Sequence, residues 1–173
     1  MEFRKVKRAD TDQTNNLFTA CLSKLLVSEN IQEEGLLENE VARLQKNVEQ
    51  SFDQPEQLFF IAEKDGTVAG TIALSQPGPM ISSAIALPRG CLEIGCVYVR
   101  PEFQRQGIGK FMLQRAQSEL EWLNRPFYCL DAGFPSSQRY WKSILGEPGF
   151  VLKDYWGPGK PHMFWLKNLN EKS

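Results

Sequence analysis

CLEIGCVYVRPEFQRQGIGKFMLQRAQSELEWL, residues Cys91 to Leu123, is the stretch on which the reading of the chain turns. Its first nine residues, Cys91 to Val99, are rich in β-branched and small apolar types, which suits a buried strand. Strand alternation sends Val97 and Val99 to one face and Cys96 and Tyr98 to the other. Arg100-Pro101 ends the strand. Farther on, Ile108, Met112, Ala116 and Leu120 recur at helical spacing, with Phe111 and Leu123 beside them. Between strand and helix lies Gln104-Arg105-Gln106-Gly107-Ile108-Gly109-Lys110. A glycine-bearing turn entering a helix presents free main-chain N–H groups at the positive end of the helix dipole. That setting suits an anionic phosphate.

Three phosphate-binding patterns compete for this turn. A P-loop needs glycine five positions before Gly109, where Gln104 stands. A dinucleotide fingerprint needs a third glycine at 112, where Met112 stands. The third, Q-x-x-G-x-G, is met by Gln104, Gly107 and Gly109, with a basic residue at Arg105. With its flank, Val97-Tyr98-Val99-Arg100-Pro101-Glu102-Phe103-Gln104, this run resembles the GNAT superfamily of acyl-CoA-dependent N-acyltransferases. The resemblance implies that the loop wraps the pyrophosphate of coenzyme A. Without it, the glycines would only let a helix pack on a strand.

Composition sets wider bounds. A chain of 173 residues predicts one domain with its own core, covering 1–173. Hydrophobic residues at 42% and charged residues at 24% are ordinary for a soluble globular protein. A net charge of −1 gives no reason to expect a nucleic-acid partner. No apolar run approaches the roughly 20 residues of a membrane span, and MEFRKVKRAD lacks an apolar signal core. Cys21, Cys91, Cys96 and Cys129 show no CxxC spacing and read as reduced core residues of a cytoplasmic protein. With His162 as the single histidine, neither a histidine-based metal site nor a Ser-His relay is expected.

Taken in order, Glu2 to Lys7 predicts an edge strand. Asp10 with Gln13 reads as a capping box opening a helix over 11–27. Leu37, Val41, Leu44 and Val48 mark a second helix, ending near Phe52. Strands at 58–62 and 68–74 flank the hairpin signal Asp65-Gly66. Residues 75–90, punctuated by Pro77, Gly78, Pro79, Pro88 and Gly90, predict a loop. After the central run, Phe127 to Ala132 is a strand, and Pro135 opens a short helix stopped by Gly146. Phe150–Trp156 and His162–Leu166 are late strands. By pattern alone this is a mixed α/β domain. The order β-α-α-β-β-β-α-β-α-β-β is that of GNAT proteins, which implies a mainly antiparallel sheet of six to seven strands flanked by about four helices.

The resemblance also implies an activity and its residues. The expected reaction is acetyl transfer from acetyl-CoA to a primary amine, by direct attack in a ternary complex and without a metal. In the histone-type branch of the family a catalytic glutamate lies eleven residues before the loop glutamine. Here that is Glu93, which is therefore expected as the base; the alternative is a glutamate paired with a neighbouring strand or loop. Burial among Cys91, Leu92 and Ile94 would raise its pKa. Main-chain atoms of Val97, Tyr98 and Val99 are expected beside the pantetheine arm, where the strand splays from its neighbour, with an N–H near Val97 serving the oxyanion. Gln104, Arg105, Gln106, Gly107, Ile108, Gly109 and Lys110 are expected to bind the phosphates, while Arg100 and Arg115 are expected at the surface. The family's thiolate acid is a tyrosine within N-x-x-A-x-x-F-Y-x-K-x-G-F. The chain departs from this pattern: no asparagine occurs in Pro135–Gly149, and the tyrosine falls on Tyr140 or Trp141. Tyr140 can donate a proton; an indole cannot do so in the same way.

Residues 29–56 carry eight carboxylates against Arg43 and Lys46. In the family this region borders the acceptor cleft, so the excess either favours a cationic amine, small molecule or lysine, or simply solvates two helix faces. Tyr155, Trp156, Phe164 and Trp165 either line an acceptor pocket or fill the core or a dimer seam. His162 reads as a loop or strand-start residue. The chain is expected to act as a monomer or homodimer. The weakened tyrosine pattern keeps a second function in view, a non-catalytic acyl-CoA-binding module.

Overall fold

The computed structural model of the chain describes residues 1–171. In chain order the elements are β1 (Glu2–Lys5), α1 (Thr11–Ser28), α2 (Leu36–Gln50), β2 (Leu58–Lys64), β3 (Thr67–Ser75), α3 (Pro79–Ala84), β4 (Leu92–Val99), α4 (Ile108–Trp122), β5 (Phe127–Ala132), α5 (Pro135–Leu145), β6 (Phe150–Leu152) and β7 (His162–Asn168). The fold is mixed α/β, with a seven-stranded sheet ordered β1-β2-β3-β4-β5-β7-β6. β4 pairs with β5 in parallel, whereas β1–β2, β2–β3, β5–β7 and β6–β7 are antiparallel. The expected order is present, with one short helix added. The main chain forms two compact units, one of Met1–Ser75 with Gly95–Ala116, the other of Gln76–Ile94 with the chain from Gln117 onward. β4 contributes residues to both.

In the first unit α1 turns Leu17, Phe18, Cys21 and Leu22 inward, one apolar stripe at helical spacing. They meet Leu44 and Val48 of α2, Phe59 and Ile61 of β2, and Val68 and Ala73 of β3. The β2–β3 hairpin turns at Asp65 and Gly66, both left-handed with φ of 51° and 77°. This is the turn that Asp-Gly supplies. β1 lies at the sheet edge, in register with β2 from Glu2↔Glu63 to Lys5↔Phe60. The capping box at Asp10 is not formed. Its carboxylate instead accepts from both terminal nitrogens of Arg4 (2.8 and 2.9 Å) and from the Lys7 N–H (2.8 Å). Gln13 turns to the hairpin, where its Oε1 accepts the Val68 N–H. Arg100 is likewise not a free surface residue. Its Nε donates to Val68 O (3.3 Å) and its N–H to Ala69 O (2.9 Å), tying the end of β4 to β3.

The second unit is built on β5 and β7, paired from Phe127↔Asn168 to Ala132↔Met163. Its buried cluster holds Ile81, Cys91, Cys129 and Phe164. Cys91 and Cys129 share a hydrogen bond which, with burial, pushes the Cys129 thiol up. Phe164 and Trp165 are buried and so belong to the core, while Tyr155 and Trp156 are exposed. Two expectations need correction here. The 75–90 segment is not all loop: Pro79 begins α3, because proline fits the first helical position, where no N–H is required. The strand expected over 150–156 ends at Leu152, since Asp154 is left-handed (φ 55°) and its Oδ1 accepts the Gly159 N–H (2.6 Å), closing a turn.

Candidate functional site

Two groups of residues stand out, one in each unit. In the first unit the chain leaves β4 through Pro101–Phe103, a single 3-10 turn, and crosses Gln104–Gly107 into α4. Arg105 and Gly107 are left-handed, with φ of 62° and 79°. Among the described residues, no main-chain acceptor takes the N–H groups of Arg105 through Lys110. The first N–H to find one is that of Phe111, which donates to Gly107 O (2.9 Å). Six successive donors therefore lie along an exposed turn and the first turn of a 15-residue helix. Such an array at the positive end of a helix dipole has the geometry that suits an anion.

Side chains brace the turn. Gln104 Nε2 donates to Val99 O (3.0 Å), and its Oε1 accepts from Lys24 Nζ (2.7 Å). Gln106 does the same between Glu102 O (3.1 Å) and Lys64 Nζ (3.0 Å). Both glutamines thus shape the loop, while Arg105 and Lys110 extend into solvent as cations. Within β4, Cys96 is left-handed (φ 51°), so the extended run breaks there and the strict face alternation of Val97, Tyr98 and Val99 does not carry back past it. The Cys96 carbonyl accepts from Thr71 Oγ1 (2.8 Å). Tyr98 is half-buried and packs edge-on to Phe18 against the core, and burial raises its hydroxyl pKa. Along the exposed side of α1 and α2 runs a groove of about 690 Å³, whose lining includes Leu37, Glu38, Val41, Gln45 and Glu49.

In the second unit, Glu93 is half-buried on β4, in register with Cys129 of β5. Its Oε2 accepts the Gly78 N–H at 2.7 Å. Tyr140 lies on α5, its ring edge-on to Trp141. The Tyr140 hydroxyl is buried and has no hydrogen-bond partner among the described residues, and burial raises its pKa. Trp141 is buried in the core. Sequence reasoning missed a further network. His162, the first residue of β7, is buried. Trp156 Nε1 donates to its Nδ1 (3.0 Å), so Nε2 carries the hydrogen and donates to Asp131 Oδ2 (3.0 Å). A Cβ at Gly133 would stand 3.1 Å from both His162 Nδ1 and Trp156 Nε1, a close approach that would press on that pair. Nothing in the sequence links Asp131 to a histidine 31 residues away. Among the described residues no group of three His, Cys, Asp or Glu forms a metal site, and no helix is long and apolar enough to cross a membrane.

Known structures share this fold. A GNAT-family protein from Desulfovibrio desulfuricans superposes with a TM-score of 0.75 at 16% identity, covering 97% of this chain and 98% of its own. The PaiA N-acetyltransferase of Thermoplasma acidophilum, solved with coenzyme A, gives 0.68 at 17% identity, with 95% and 97% covered. YncA of Salmonella typhimurium, solved with acetyl-CoA, gives 0.68 at 17% identity, with 100% and 96% covered. A search of curated protein sequences finds no match. The family model described as "Acetyltransferase (GNAT) family" matches residues 19–146, from within α1 to the end of α5. The chain belongs to the acetyltransferase (GNAT) family.

Proposed function

We propose that the chain is an acetyl-CoA-dependent N-acetyltransferase, a single acetyltransferase domain acting on a primary amine. The observation that carries this reading is the run of unpartnered N–H groups from Arg105 to Lys110 at the head of α4. Such a nest fits a pyrophosphate, and structural neighbours have been solved with coenzyme A or acetyl-CoA. Arg105 and Lys110 add positive charge beside it. Coenzyme A brings the acetyl group as a reactive thioester. The chain's own groups position the reactants and move protons. Val97, Tyr98 and Val99 border the pantetheine arm through main-chain atoms, and an N–H near Val97 meets the negative charge that develops on the acyl oxygen. Glu93 takes the proton from the attacking amine. Tyr140 returns one to the departing sulfur. Its buried, unpartnered hydroxyl is a donor with nothing yet to donate to, which is what this role requires.

One observation favours a second reading. α5 lacks the family's asparagine, and its inward aromatic is Trp141 rather than a tyrosine. An acyl-CoA-binding module without turnover would tolerate that change. Thiol release from acetyl-CoA, measured with a panel of spermidine, kanamycin and a lysine peptide, separates the two. Turnover with any amine supports the enzyme. Tight acetyl-CoA binding with no turnover across the panel supports the module.

A further inference from the structure

We propose that Gly78 is a positioning residue for the reaction, its main-chain N–H holding the Glu93 carboxylate ionised and oriented. This rests on the reading of Glu93 as base. Gly78 sits just before α3, with φ −69° and ψ 167°, a conformation open to any residue. Its N–H reaches Glu93 Oε2 at 2.7 Å. An ideal Cβ on Gly78 would stand 3.5 Å from that same oxygen, so the backbone of residue 78 lies directly against the carboxylate.

The donor is fixed from behind. The Ser82 N–H donates to Gly78 O at 3.0 Å, and Ser82 Oγ to Pro77 O at 3.3 Å. Pro79 occupies the first helical position, and Ile81 anchors α3 in the cluster with Cys91, Cys129 and Phe164. The direction of the N–H is therefore set by a packed element rather than by a free loop. On the other side, register with Cys129 fixes the main chain of Glu93. A donor aimed at a carboxylate stabilises its charged form, which extends the range of base duty toward lower pH. Burial pulls the opposite way, so the hydrogen bond lets a half-buried glutamate stay ready to accept a proton.

Two substitutions separate the N–H from the residue that carries it. Gly78→Pro deletes the N–H, and φ −69° lies within proline's range. Gly78→Ala keeps the N–H and places its Cβ at ordinary contact distance. Carboxyl titration by NMR on the ¹³C-glutamate-labelled full chain, with Glu93 assigned by its loss in Glu93→Gln, reads the carboxylate directly. The Glu93 midpoint should rise by about one pH unit in Gly78→Pro and stay put in Gly78→Ala. The acid limb of kcat/KM, measured with the fastest amine of the panel, should follow it. A uniform loss of rate with an unmoved limb would mean a merely structural role. In the unmodified chain the Gly78 amide resonance should titrate with Glu93, and this dependence should vanish in Glu93→Gln. That readout stands even if Gly78→Pro does not fold. An amide that ignores pH, or a Glu93 midpoint unmoved in Gly78→Pro, overturns the inference. A midpoint that moves while the kinetic limb stays removes Glu93 as base, and with it the role of Gly78 in the reaction.

Discussion

The Tyr140 hydroxyl is a buried polar atom without a partner among the described residues, a state that normally costs the full desolvation of the group. Such a cost is tolerated where a ligand completes the pair. Removing the hydroxyl should therefore separate function from stability. Tyr140→Phe should lower kcat by about a hundredfold while leaving the KM for acetyl-CoA within a few-fold of its original value. Its urea midpoint should be unchanged or slightly higher, because the uncompensated atom is gone. Steady-state kinetics and an unfolding curve on the same preparation check both halves. A large loss of stability would mean that the hydroxyl serves the fold. Glycine carries a different kind of residue-scale constraint at Gly70, on β3. A Cβ there would lie 2.8 Å from Met112 Cε and 3.0 Å from Tyr98 O. The methionine end can move but the carbonyl cannot, so Gly70→Ala should cost about 1–3 kcal/mol in denaturant unfolding.

At the scale of elements, one arginine adds side-chain ties from the edge strand β1 to the start of α1 and to β2, beyond the main-chain pairing of the two strands. Arg4 contacts both Asp10 and Glu63, and its guanidinium holds the Asp10 carboxyl below the usual range. A carboxyl depressed in the folded state adds stability above its unfolded value of about 3.9, and that stability is lost as pH falls through the lower folded value. Asp10→Asn should thus destabilise by about 2 kcal/mol at pH 7, with the gap to the parent chain narrowing once the pH is below the unfolded value of about 3.9. Urea unfolding on either side of that value measures it. Asp10 also shows where sequence reading stops. Its helix was legible from the stripe Leu17, Phe18, Cys21 and Leu22, and the hairpin from Asp65-Gly66, because each signal is local and periodic. The capping role failed because Arg4, on the strand just before, and the Lys7 N–H take the same oxygens, a competition that helix-cap spacing does not register. α3 was hidden by Pro77, Gly78 and Pro79, which read as breakers although Pro79 opens a helix. The loop Gln104–Gly109 was legible as a motif, but the bracing of its glutamines by Lys24 and Lys64 was not, since those lysines lie far off in the sequence. The Glu93–Gly78 bond uses a main-chain donor, which leaves no mark in side-chain type.

For the whole molecule, the proposed donor offers a test that needs no acceptor. Any ligand that binds only the folded chain stabilises it by RT ln(1 + [L]/Kd), about 2.7 kcal/mol at a hundredfold excess over Kd. For a chain of this size that corresponds to a rise in Tm of roughly 5–10 °C. Acetyl-CoA should produce this shift. ATP and NAD should give much less, since the turn lacks glycine at Gln104 and Met112, where their loops require it. The response should depend on the nest. Gly107 is left-handed and exposed, and a Cβ there meets nothing within 4 Å, so valine would strain the turn without crowding the core. Gly107→Val should keep a Tm within a few degrees of the parent chain and lose most of the acetyl-CoA shift, with affinity at least about tenfold weaker by calorimetry. An acetyl-CoA shift that survives Gly107→Val intact would place the ligand elsewhere on the molecule. The six donors at the head of α4 would then need another anion to explain them.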